Sequence, residues 1–189
     1  CVIWGTTWLF IKIGLEDLPP ITFAYLRFGT AVVIIGAIIR AGGKAFPRTS
    51  AHWKLLAVTG VLQFTVNYSL VFWSELHITS GLAAVLQATI PVFGLLLARI
   101  HLPEERLTLL KAAALAVGLA GVAVIFYDQL QIESYMAFAG SVAIVVGAYA
   151  AAHASILTKA KGAGISPENL VFGQMVCGLI PLVILGLAI

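Results

Sequence analysis

Apolar runs of about twenty residues recur roughly every 25 positions, near 1–15, 20–39, 53–73, 78–98, 109–127, 135–157 and 167–189, with short polar or proline-marked breaks between them. A run of that length is what an α-helix needs to cross a hydrocarbon layer of roughly 30 Å. Of the 189 residues, 61% are apolar and 10% charged, against about half and about a quarter in a soluble domain. The mean hydropathy of +1.04 agrees, so the bilayer is the solvent that the chain requires. A membrane β-barrel would need alternating segments of about ten residues, whereas these runs are apolar on every face. The expected fold is therefore all-α, a polytopic transmembrane helical bundle of about seven spans. Disorder is excluded by the aliphatic content, and a disulfide scaffold by the presence of only Cys1 and Cys177, both in apolar runs.

The net charge of +3 is spread over short loops and forms no basic face, so nucleic acid is not an expected partner. Arg40, Lys44, Arg48 and Lys54 follow the second run, Arg99, Arg106 and Lys111 the fourth, and Lys159 and Lys161 the sixth. The alternate loops carry Glu16 and Asp17, Glu75, and Asp128 with Glu133, with only Lys12 near that side. By the positive-inside rule the basic loops face the cytoplasm and the first span starts there. The expected location is a cell membrane of the bacterial inner-membrane type. The chain opens on Cys1 and ends in apolar sequence at Ile189, which reads as an excerpt, and no cleavable secretory signal is recognisable.

A shift of 147 positions places Lys12 on Lys159 and Pro20 on Pro167, with apolar positions largely falling on apolar positions. Five spans precede the sixth, so a second copy starting there enters the membrane upside down. Residues 1–128 are read as a first repeat of five spans and 132–189 as the start of a second, inverted one. Secondary transporters are commonly built this way, with the substrate between the halves.

Polar groups inside the runs are the candidate site. Arg27 lies about seven residues into the second span, on the order of 10 Å deep, where an arginine costs roughly 2.5 to 3.5 kcal/mol to insert and does not give up its proton. All eight carboxylates fall in expected loops or at span ends, so Arg27 is read either as an anion receiver for substrate or as a snorkelling or carbonyl-bonded arginine. Lys12 shares a helical stripe with Trp4 and Trp8, which suits a cation and two aromatic walls but also an aromatic belt. Pro91, inside the fourth span, cannot donate to the carbonyl of Gln87, so a carbonyl and an amide side chain share one place, which suits a polar substrate but also an ordinary kink satisfied by a neighbouring Ser or Thr. Asn67 begins an aromatic and polar cluster with Tyr68, Phe72 and Trp73 towards the outer end, a pattern more often packing and belt than pocket. Tyr149 and His153 stand one turn apart, with Tyr149 a candidate wall and His153 a proton-coupling candidate or a hydrogen-bonded structural histidine. The stripes of small residues, Ala139 to Ser155 and Ala114 with Gly118, read as close helix packing.

Gly42-Gly43-Lys44-Ala45 lacks the leading glycine and hydroxyl residue of a phosphate-binding loop. Metal-ligand spacings and paired intramembrane acids do not occur, so no metal, no cofactor and no enzymatic reaction is expected. Two classes remain: a carrier of small solutes, and a membrane structural or sensing protein whose polar groups only hold helices together.

Trp4-Gly5-Thr6-Thr7 with Lys12, Pro20 with Arg27, Thr79-Ser80-Gly81-Leu82-Ala83 through Pro91-Val92-Phe93, and Glu104-Glu105-Arg106-Leu107-Thr108 leading to Gly118 and Gly121 together resemble the EamA family of the drug/metabolite transporter superfamily. The resemblance implies ten spans in two inverted five-span repeats with both termini cytoplasmic. It also implies transport of small metabolites such as amino acids, export more than import, without ATP hydrolysis. About seven of those ten spans are here, and the second repeat lacks the stretch matching Pro91 and Glu104-Glu105-Arg106. The expected partners are a small-molecule substrate, the lipid bilayer and, as an option, a second copy of the chain. Substrate contacts are assigned to Arg27, Lys12, Trp4, Trp8, Gln87, Tyr149 and Asn67, a kink to Pro91, and proton coupling to His153.

Overall fold

The computed structural model describes residues 10, 13, 14, 16, 18–43, 49–102, 104, 108–125, 127–129 and 134–188. Among them the regular elements are helical: α1 (Pro20–Ala41), α2 (Ser50–Glu75), α3 (Ser80–His101), α4 (Leu109–Ile125), α5 (Tyr135–Lys161) and α6 (Pro167–Ala188), with a short turn of 3-10 helix at Tyr127–Gln129. Five of them, α1, α2, α3, α5 and α6, are long and apolar enough to cross a membrane.

That is fewer than the seven spans expected. The first apolar run lies almost wholly outside the described residues. The fifth becomes α4, whose 17 residues reach about 25 Å at 1.5 Å per residue, at the lower end of the length a span takes.

Helix starts follow local chemistry. Pro20 occupies the first turn of α1, where a missing N–H costs nothing. Thr79 accepts from Leu82 N at 3.2 Å and Ser134 from Ala137 N at 3.1 Å, capping α3 and α5. Ser166 accepts from Asn169 N at 3.4 Å with Pro167 as the first helical residue, as the sequence suggested. The turn into α6 passes through Gly164 at φ +84°, a conformation that side-chain-bearing residues rarely adopt.

The surface inverts the rule for soluble proteins. Val33, Ile100, Val117 and Ile184 are all exposed, which is unfavourable in water and neutral against lipid tails. With little hydrophobic drive between helices in lipid, association rests on close packing and hydrogen bonds. Accordingly α2 is the centre of the bundle, packed on α1, α5 and α6, while α3 lies on α5 and α1 on α6. A Cβ at Gly60 would strike the carbonyl oxygen of Gln174, and one at Gly178 would strike that of Gly60. The backbones of α2 and α6 therefore touch. On α5 the buried stripe runs through Gly140, Ile144, Gly147, Ala148, Ala151 and Ala154, whereas Ser155, expected in the stripe, is exposed. The packing expected at Ala114 and Gly118 is not found among the described residues: Ala114 is exposed and a Cβ at Gly118 meets nothing within 4 Å. An aromatic core joins α1 to α2, with Phe28 at 5.2 Å from Phe64 and 4.7 Å from Tyr68 between ring centroids, and Phe23 at 5.7 Å from Phe72.

Candidate functional site

The polar groups of the bundle gather along α2. Its middle, Val61–Asn67, is π-helical, a widened turn often found at functional places. Asn67 ends that segment, is buried, and packs on Gly147 of α5, where a Cβ would come within 3.1 Å of Asn67 Oδ1. Two residues earlier, Thr65 donates to the Gly178 carbonyl of α6 at 2.7 Å.

Opposite Asn67, α3 is broken. One helix ends at Gln87 and another starts at Ile90. Pro91, expected inside a single kinked span, sits instead in the first turn of the second helix and is exposed. The reason is that the proline ring cannot donate to the helix preceding it, so the helix restarts, and Thr89 takes the Leu86 carbonyl through its hydroxyl at 2.6 Å. The break leaves Gln87 at a helix end, where its Nε2 donates to Asn67 Oδ1 at 3.1 Å. Gln87 Oε1 is buried with no hydrogen-bond partner among the described residues. Two of the expected substrate contacts, Asn67 and Gln87, are thus brought together with one acceptor unspent.

Arg27 is half-buried in α1 at the same level, since its neighbour Phe28 packs on Tyr68, the residue after Asn67. It acts electrostatically on the Tyr68 phenol. Among the described residues no ion pair joins Arg27 to a carboxylate. Glu75, expected in a loop, is the buried last residue of α2, about 10 Å along the helix from Tyr68.

Tyr149 and His153 form a separate group on the flank between α3 and α5. Ring centroids lie 5.6 Å apart for Phe93 and Tyr149, 5.8 Å for Tyr149 and His153, and 5.3 Å for His101 and His153. Gly147, not Tyr149, faces Asn67, and Tyr149 is 44% exposed, so the structure does not bring Tyr149 to the amide pair. Trp4, Trp8, Lys12, Glu105 and Arg106 lie outside the described residues. Among the described residues no group of three or more His, Cys, Asp or Glu is placed to hold a metal ion.

A second polar centre was missed in the sequence. Gln174 of α6, buried, donates through Nε2 to Thr59 Oγ1 of α2 at 2.9 Å and to Thr158 Oγ1 of α5 at 2.8 Å. Beside it is a cavity of about 290 Å³ lined by Gln63, Ala154, Ser155, Thr158 and Gln174. A lone glutamine in an apolar run carries no periodic signal, and its partners are 115 and 16 positions away. One signal was present: the shift of 147 that pairs Pro20 with Pro167 also pairs Arg27 with Gln174.

The profile of the EamA-like transporter family matches residues 1–127. Protein PagO of Salmonella typhimurium is 27% identical over 96% of this chain and 59% of its own length. An "Uncharacterized inner membrane transporter YedA" of Escherichia coli is 34% identical over 64% of this chain and 39% of its own. A "Probable terminal-alkyne amino-acid exporter" of Streptantibioticus cattleyicolor is 31% identical over 66% and 41% respectively. The chain spans less than two thirds of the length of each of these relatives. No solved structure matches it. With an all-helical membrane bundle on one side and a family match over most of its length on the other, the chain belongs to the EamA-like transporter family.

Proposed function

We infer that the chain is part of a secondary-active carrier of the bacterial inner membrane, without enzymatic activity. It exports a small polar metabolite such as an amino acid by alternating access between inverted repeats. The observation that carries the reading is the Asn67–Gln87 pair: a π-helical turn and a broken helix meet at a buried amide whose Oε1 has no protein partner among the described residues. Orphaned buried acceptors are costly, about 1–3 kcal/mol, and a passing solute with a donor group offsets that cost. Arg27, at the same level, supplies a permanent positive charge to a substrate carboxylate. The loop charges support a cytoplasmic side for residues 42–49 and 162–166 and for the N-terminus. The alkyne amino-acid cargo in the name of the Streptantibioticus relative agrees with a carboxylate-bearing substrate.

The test is transport of labelled amino acids by the protein reconstituted in liposomes. Wild type should move at least one of them, and Arg27→Ala should reduce that movement at least tenfold while eluting as a folded monodisperse species. Transport unchanged in Arg27→Ala removes the site assignment, and no movement by wild type of any solute in a broad panel removes the carrier reading in favour of a structural or sensing role.

A further inference from the structure

We propose that the cavity between α2, α5 and α6 is a second station for the cargo, and that Gln174 makes it select solutes of zero net charge, as a neutral amino acid is, over net cations and anions. This rests on the carrier reading above and adds the substrate class.

The wall contains two amides, Gln63 and Gln174, two hydroxyls, Ser155 and Thr158, and the methyl of Ala154, with no ionisable side chain among them. Gln174 is not free to choose its orientation. Both bonds from its Nε2 are committed, to hydroxyls on two different helices. Thr59 is fixed in turn, since its hydroxyl donates to the Leu55 carbonyl at 2.7 Å, so it can only accept from Gln174. The backbone contact of Gln174 with Gly60 holds the base of the side chain. What Gln174 has left for a ligand is the carbonyl end of its amide, an acceptor. Thr158, which accepts from Gln174, has its hydroxyl proton left to donate. The site therefore offers a fixed acceptor beside a donor, with Gln63 one turn from Asn67 on the same helix to pass the solute on.

Charge decides what fits. The cavity is open on the side of the exposed Ser155, so a net ion entering it gives up part of its hydration and finds amide and hydroxyl dipoles on the wall but no counter-charge to replace it. A zwitterion carries its own counter-charge, and its ammonium has the Gln174 carbonyl to meet. The volume of about 290 Å³ is that of roughly ten water molecules, enough for a small amino acid and too little for a peptide. Under the shift of 147 the same register position is Arg27 in the first half and Gln174 in the second. One half thus presents a charge to a carboxylate and the other a neutral amide.

The experiment is counterflow in proteoliposomes with labelled glutamine, serine, lysine and glutamate, using wild type, Gln174→Glu and Ser155→Asp. Ser155 lies on the cavity wall, is exposed, and leaves the Gln174 bonds intact, so Ser155→Asp introduces the charge even if Gln174→Glu fails to fold. Wild type should favour the neutral pair over lysine and glutamate at least tenfold. Each acidic variant should move the lysine-to-glutamine ratio up by about tenfold, with glutamate falling further. Equal movement of all four solutes by wild type overturns the selectivity while leaving the carrier reading standing, as does an unchanged ratio in both folded variants. Movement of none of the four by wild type, with other solutes moved, overturns the assignment of the cavity to amino acids, and movement of no solute at all overturns the carrier reading with it.

Discussion

Gln87 and Asn67 illustrate how little energy a functional polar contact needs to represent in a membrane. Side-chain hydrogen bonds between transmembrane helices average about 0.6 kcal/mol and reach about 1.7 kcal/mol, because the unfolded reference also finds partners. Replacing Gln87 by Leu should therefore lower stability by no more than that range, read from thermal unfolding in detergent, while transport falls at least tenfold. A stability loss of several kcal/mol with matching loss of transport would make the pair structural. Arg27→Lys keeps the charge and loses the planar fork, so it should retain more transport than Arg27→Ala, with a weaker apparent affinity for carboxylate-bearing solutes. Residues of this kind were partly legible beforehand. Arg27, Gln87 and Asn67 stood out because polar groups are rare in apolar runs. Gln174 and Gln63 were equally rare but lacked a local reason to be singled out, since their meaning depends on Thr59, Thr158 and a cavity that only the folded bundle creates.

Helices that the sequence punctuates were readable, and those shaped by neighbours were not. Ser166-Pro167 and the break near Pro91 follow from capping and from a missing N–H. The π-helical turns at Val61–Asn67 carry no such mark; they sit where α2 meets both α5 and α6, so tertiary contact sets their local geometry. The small-residue stripes divide in the same way. Gly147 faces another helix, whereas Gly118 faces nothing within 4 Å, although both read alike in sequence. Gly60→Ala places a methyl on the Gln174 backbone carbonyl, which cannot rotate away. That variant should lower the unfolding temperature clearly, while Gly118→Ala should leave it unchanged or raise it, as alanine is the better helix former by about 1 kcal/mol. Fluorescence-detected size exclusion after graded heating separates the two.

For the molecule in its membrane, orientation is the property most open to a direct check. The proposed orientation expects Asp128 and the turn at 162–166 on opposite sides of the membrane. In a background with Cys1 and Cys177 replaced by alanine, Asp128→Cys should react with an impermeant maleimide on intact cells, and Ala163→Cys should react only after permeabilisation. The reverse pattern inverts the topology. Hydropathy reports composition and not helix length, and among the described residues α4, with 17 residues, is where the two part. The contact of α2 with α6 at Gly60 and Gly178 has its own consequence. Backbone meets backbone there, and the Thr65–Gly178 and Gln174–Thr59 hydrogen bonds pin the same seam, so α2 and α6 are held as one body. Such a contact is a fulcrum. Displacements should grow with distance from it, so the Gln174 cavity, which lies on the seam, should move little, whereas Gln87, carried by α3 away from the seam, should move more.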